Sequence, residues 1–265
     1  MKHLGTVILL AVVGIAVAGS AAAAERRDSI ADLDALAAQH SWLELGAHLM
    51  DIPPAARDAH WQALVEQAAV GEVAPLAAAA GSFVDKLVVL ERYYPTFPSL
   101  AQSSEFMKLR ATVGLDAFRR CFELAAEQYL DPAPCRDHLD AFARAEPVDL
   151  TVAKGAAELV AQRGNDAAAA RFYAIMLAAG DDVCQAASVA KAAVAALREP
   201  VESFDAKAGK VLLDRCFEPL KEAVLDTFAQ VPPASPYMKN SCPALMAHNA
   251  LSGLRAARCK ELGSG

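Results

Sequence analysis

Six cysteines, at positions 121, 135, 184, 216, 242 and 259, constrain the fold of this 265-residue chain more than any other feature. Three share one local context: Arg120-Cys121-Phe122-Glu123, Arg215-Cys216-Phe217-Glu218 and, as a near copy, Arg258-Cys259-Lys260-Glu261. An even number of cysteines in an exported chain reads first as a disulfide framework. The chain has no C-x-x-C pair, the signature of a thioredoxin-like redox site or a zinc ribbon. It also lacks a cysteine–histidine motif that would activate a nucleophile. On a helix, the Arg and Glu of R-C-x-E stand three apart and pair at the surface, while the cysteine between them turns toward a neighbouring helix. The six cysteines are therefore read as structural staples.

Export is read from the N-terminus. Lys2 and His3 precede an apolar run from Leu4 to Ala18, and Ala22-x-Ala24 offers the small-residue pattern of a signal-peptidase site. Cleavage is expected between Ala24 and Glu25, with an uncleaved membrane anchor as the competing reading. No cysteine follows the small residues, as a lipoprotein signal requires. The formal charge of the chain is −7, and removing residues 1–24 takes away one lysine and no acid, leaving −8. An acidic chain without basic clusters argues against nucleic-acid binding and against docking on an anionic membrane, since both need stripes of Lys and Arg.

The chain is 55% hydrophobic but only 6% aromatic, and alanine supplies much of the hydrophobic fraction. Alanine is the best helix former, and no long period-two run marks a strand. The expected fold is all-α, built of stacked antiparallel helical hairpins. A first helical segment is expected over 28–50, and Pro53-Pro54 open the next helix, since first-turn N–H groups need no helical acceptor. Amphipathic stripes follow at Trp61, Leu64, Val65 and Ala68, at Phe83, Leu87, Leu90 and Tyr94, and at Leu115, Phe118, Phe122, Ala125 and Tyr129. Further helices are expected over 183–198, from 202 with a division at Pro219, and over 242–262, with 231–241 as the longest loop. The regions are 1–24 (leader), 25–110 (N-terminal helices), 111–262 (hairpins with all six cysteines) and 263–265 (tail).

Residues 148–182 read DLTVAKGAAELVAQRGNDAAAARFYAIMLAAGDDV, a helix, a turn at Gly164-Asn165, an Ala- and aromatic-rich helix and a Gly-Asp turn. Within one period of about 34 residues this resembles a tetratricopeptide-type unit. The resemblance implies a helical solenoid with a groove for peptides or proteins, and no chemistry of its own.

Bridging needs Cα atoms within about 7 Å. Cys184 and Cys216 stand equally far from a turn at Pro200, so an antiparallel hairpin brings them level, and this pair ranks first. Cys121 and Cys135 suit a second hairpin if Asp131 is an N-cap and Pro132 the first helical residue. Cys242 and Cys259 remain. In one straight helix they would stand roughly 25 Å apart at 1.5 Å per residue. They meet only if the helix breaks at Ser252-Gly253; otherwise 216–259 with 184–242 is an alternative.

Other candidate residues are few. His40, Glu44 and His48 recur every fourth residue; two adjacent members could hold a metal such as zinc, but the three span about 12 Å of helix, too far for one ion, and Ser41 as an N-cap would leave His40 outside the helix, so a solvated polar face is the expected reading. Trp42 and Trp61 suit either a recognition groove or a core. Tyr93, Tyr94 and Phe97, in YYPTFP, suit either a contact loop or a packed one. No G-x-S-x-G, H-E-x-x-H, glycine-rich phosphate loop or EF-hand occurs, so no cofactor, metal or catalytic residue is expected. A glycosidase-type pair of acids is set by spatial rather than sequence spacing and stays open. The expected function is an exported, non-enzymatic scaffold or protein-interaction module with an envelope or extracellular partner. The alternatives are a carrier of a small apolar ligand between helices and a hydrolase with dispersed carboxylates.

Overall fold

The computed structural model describes residues 28–79 and 81–263. The expected leader and its cleavage point lie outside the described residues. Among the described residues the chain is all-helical, 76% helix without strands. In order the helices are α1 (Ile30–Ala38), α2 (Trp42–His48), α3 (Ala59–Val73), α4 (Phe83–Tyr93), α5 (Ser104–Glu127), α6 (Ala133–Arg144), α7 (Leu150–Gln162), α8 (Asp166–Ala178), α9 (Ala187–Ala196), α10 (Phe204–Arg215), α11 (Phe217–Gln230), α12 (Pro236–Ala247) and α13 (Gly253–Gly263). Every substantial helix–helix packing joins helices that are neighbours or next-but-one in this order. The core is therefore built progressively along the chain. The regional boundary expected at residue 110 falls inside α5, which packs on α3, α4, α6 and α7, so both regions share one helix.

Side-chain caps start many of these helices. Ser29, Asp58, Ser82, Ser103, Asp149, Asn165, Ser203 and Ser235 each accept a hydrogen bond from a first-turn N–H. Five helices end in a left-handed residue with two back-bonds to the preceding turn. After α8 it is Gly180 and after α7 Gly164, at φ +90° and +77°. After α1, α5 and α12 it is His40, Tyr129 and Asn249, at φ +56°, +55° and +52°. At α1 the N–H of His40 bonds the carbonyl of Ala37, and that of Ser41 the carbonyl of Leu36. This is the Schellman arrangement.

These endings correct several expectations. The single segment over 28–50 is two helices, α1 and α2, divided at His40 without a glycine. Tyr129 does not complete the third stripe, because it lies beyond the end of α5 and is fully exposed. The helix expected from 202 does divide, but at Cys216 rather than at Pro219. Pro219 lacks the N–H that Arg215 would bond, and its ring would meet that carbonyl, so α10 stops at Arg215 and the proline falls in the first turn of α11. The expected loop over 231–241 is mostly the start of α12, capped by Ser235, and the expected helix over 242–262 breaks between Ala247 and Gly253.

That break lets Cys242 reach Cys259, and the three disulfides are Cys121–Cys135, Cys184–Cys216 and Cys242–Cys259, with Cα separations of 6.0, 5.2 and 5.3 Å. None of the six cysteines is free, and the alternative 216–259 with 184–242 is excluded. Asp131 caps one residue differently from the expectation. Its carboxylate takes the N–H of Ala133, and Pro132 is the N-cap. Cys184 precedes α9 rather than beginning it, and Cys242 lies in the middle of α12.

Candidate functional site

The aromatic residues expected at a contact surface are mostly inside. Trp61 is buried, donates its indole N–H to the carbonyl of Leu49 at 3.0 Å and lies 5.8 Å from the Phe97 ring. Tyr93, Tyr94 and Phe97 are also buried, so the YYPTFP turn is packed and presents no aromatic face to solvent. Trp42 is half-buried and lies on α3 where residue 71 is glycine; a Cβ there would stand 2.4 Å from the indole. The groove reading thus loses four of its five residues to the core, because the chain turns YYPTFP inward between α4 and α5.

The same packing assembles a cluster that the sequence reading passed over. Arg110, on α5, is 1% exposed. It donates one hydrogen bond to the carbonyl of Phe142 at 2.8 Å and one to the Asp149 carboxylate at 3.2 Å. Its guanidinium lies 3.9 Å from the centre of the Tyr94 ring and 4.2 Å from that of Phe142. Asp149 also accepts the N–H groups of Thr151 and Val152 at the start of α7. Tyr94 donates its hydroxyl to the carbonyl of Pro147. Burial lowers the Arg110 pKa, opposed by Tyr94 and Asp149, and burial raises that of Tyr94. Three residues, Tyr94, Phe142 and Asp149, thus meet on one guanidinium, whose Nε has no hydrogen-bond partner.

Beside this cluster is a cavity of about 230 Å³, lined by Leu90, Glu91, Tyr94, Pro95, Arg110, Ala141, Phe142 and Ala145. Its wall is mostly apolar, with Glu91 and Arg110 as charged members. Gly114 keeps the neighbouring space, since a Cβ there would stand 2.5 Å from the Phe142 ring. One signal of the cluster is present in the sequence. Phe106, Arg110, Val113 and Ala117 follow the helical repeat, which puts an arginine in a core position of α5.

The histidine row does not form as spaced. His40 ends α1 and meets the edge of Trp42, whereas His48 closes α2 and pairs with Asp28 and Asp51. Many of the carboxylates are taken up by caps, at Asp58 and Asp149, or by ion pairs such as Lys86–Asp116, Arg144–Asp140 and Lys191–Asp166. Comparison with protein-family models, with curated proteins and with solved structures finds no match to the chain.

Three disulfides and no free cysteine indicate an oxidising, exported environment. Among the described residues no helix is long and apolar enough to cross a membrane.

Proposed function

We propose that this chain is an exported, non-enzymatic helical scaffold that engages an envelope or extracellular protein through exposed helix faces. The observation that carries the reading is a set of exposed apolar pairs at helical spacing. Phe204 and Val211, two turns apart on α10, are 73% and 45% exposed. Val84 and Val88 repeat the pattern on α4, and Leu43 and Met50 along α2 and the turn after it. Single exposed apolar residues are ordinary, but pairs on one helix face are the anchors by which partners dock. The sequential stacking of the helices supports the same reading, because such arrays present long surfaces rather than one enclosed site. In this reading residues 1–24 are the cleaved leader of a periplasmic or extracellular protein.

The test places a photo-crosslinking amino acid at position 204 or 211 in the cells that make the protein, with exposed Glu158 on α7 as the control position. One common adduct from 204 and 211, absent at 158, is the expected result. Identical labelling at all three positions, or none at any, overturns the proposal.

The cavity beside Arg110 favours a second reading, carriage of a small and largely apolar molecule with one hydrogen-bond acceptor. Native mass spectrometry of the protein from its own envelope tests it, with the bound mass lost on Gly114→Leu. The dispersed-carboxylate hydrolase has no comparable observation in its favour.

A further inference from the structure

We propose that Asp28, His48 and Asp51 form a binding site for one divalent metal ion of the zinc class. The α1–α2 hairpin turns at His40 and brings the segment before α1 back beside the end of α2. There the Nδ1 atom of His48 lies 2.6 Å from Oδ2 of Asp28 and 2.8 Å from Oδ2 of Asp51. The ligand atoms of all three residues fall within 4.8 Å of one another.

Two observations support a cation at this point. The first is charge. Each of the two carboxylates has His48 as its partner, and no Lys or Arg pairs with either among the ion pairs of the described residues. The second is valence. Both carboxylates converge on the same ring nitrogen, which carries one proton at most. One N–H cannot serve two carboxylates well, whereas a cation in its place is held by all three groups.

Two of the ligands are held firmly. His48 ends α2 and Asp51 ends the 3₁₀ turn that continues it, so they stand one turn apart on a continuous helical path. Leu45, Leu49 and Ile52 bury that path, and Arg57 donates to the carbonyls of Met50 and Ile52. Asp28 is the closing ligand from the segment that leads into α1. The donor set is one imidazole nitrogen and two carboxylate oxygens, with the remaining positions open to water. It suits Zn²⁺, held at about 2.0–2.2 Å, and not the all-oxygen preference of Ca²⁺. The carboxylates must draw back from the ring by roughly half an ångström to reach those bond lengths. His48 and Asp51 side chains are 41% and 48% exposed and have room to do so.

Binding displaces the Nδ1 proton and ties the chain before α1 to the end of α2. The test is calorimetric titration of tag-free protein with Zn²⁺, with Ca²⁺ in parallel, at pH 7.5 in a non-coordinating buffer. One saturable Zn²⁺ site is expected. It should weaken at least tenfold in His48→Gln and in Asp51→Asn, stay unchanged in His60→Ala, and be absent with Ca²⁺. His60 is the matched control, an exposed histidine with a single aspartate partner, Asp34. Circular dichroism confirms that each variant is folded. Absence of saturable binding, or binding that survives both His48→Gln and Asp51→Asn, overturns the site; the second result means an adventitious ion only.

Discussion

Replacing Arg110 by Met keeps a long apolar stem and removes the guanidinium from the junction of α4, α5, α6 and α7. The losses are a hydrogen bond to the Phe142 carbonyl, one to Asp149 and contacts with two aromatic faces. Hydrogen bonds to a charged group contribute about 1.5–3 kcal/mol each, and a cation on a ring about 0.5–2. Desolvation of the guanidinium in the folded protein, several kcal/mol, offsets much of that. Asp149 is not stranded, because the N–H groups of Thr151 and Val152 and the start of α7 still hold its charge. The net loss is therefore about 3 kcal/mol, at the low end for breaking a buried pair from one side. In a chain of this size it lowers Tm by on the order of 10 °C. Asp149→Asn keeps the cap oxygen but leaves Arg110 without its counter-charge, and the double variant should lose less than the sum of the two. Urea and thermal unfolding with the disulfides intact measure these terms, and amide exchange over residues 142–152 locates them. A loss under about 1 kcal/mol for Arg110→Met, or strict additivity in the double variant, would refute the reasoning.

Tyr129→Gly should raise stability by about 1 kcal/mol, because Tyr129 is fully exposed at φ +55°, where only glycine is free of Cβ strain; urea unfolding measures it, and a loss contradicts the prediction. Gly71→Ala should cost about 1–3 kcal/mol and shift tryptophan emission to the red, because the new methyl displaces Trp42 from α3. Among the disulfides, loss of Cys184–Cys216 should cost most. It spans 32 residues against 14 and 17, which corresponds to about 4 kcal/mol against about 3 in the chain-entropy account. Under limiting dithiothreitol Cys242–Cys259 should open first, since both cysteines line a cleft of about 420 Å³ and α13 packs chiefly on α12. Differential alkylation and peptide mapping read that order, and earlier labelling of Cys121 or Cys216 would contradict it.

The all-helical class was legible because alanine and 3.6-residue periodicity act over whole segments, where many weak preferences add. The pairings of Cys121 with Cys135 and of Cys184 with Cys216 were legible because hairpin geometry is symmetric about its turn. The third pairing needed a helix end at Asn249, a position that a glycine rule assigns to Gly253 instead. Tyr129 hid another ending for the same reason, since a left-handed residue other than glycine leaves no mark in composition, whereas Ser41 as an N-cap marks the start of α2 just after His40. Arg110 was missed because an arginine within a polar-looking stretch, SEFMKLRATVGL, reads as surface until its ring partners from two other elements are placed. Asp28 and Asp51 meet His48 only through the closed hairpin, and no linear motif records that closure.

The placement of the staples follows from the way the stack is built. Each disulfide joins elements adjacent or nearly so in the chain: α5 to α6, the turn before α9 to the α10–α11 junction, and α12 to α13. Helical arrays that pack only on near neighbours gain little from distant cross-links, since each unit's stability depends on its own interfaces. A staple helps most where an interface is small or rich in alanine, with little apolar area per residue to bury. From α7 onward the core includes many small residues, such as Ala156, Ala157, Ala168, Ala192 and Ala193, alongside rings such as Phe172, Phe217 and Tyr237. Residues 28–110, whose core holds Trp61, Tyr93, Tyr94, Phe97 and Phe106, contain no cysteine. The Arg120 side chain reaches Glu123 and Glu127 along the surface of α5 while Cys121 faces α6 among the buried rings of Phe118 and Phe122, so in that copy the charged flanks keep the outer face of the helix soluble while the disulfide fastens an inner face that aromatic rings already pack.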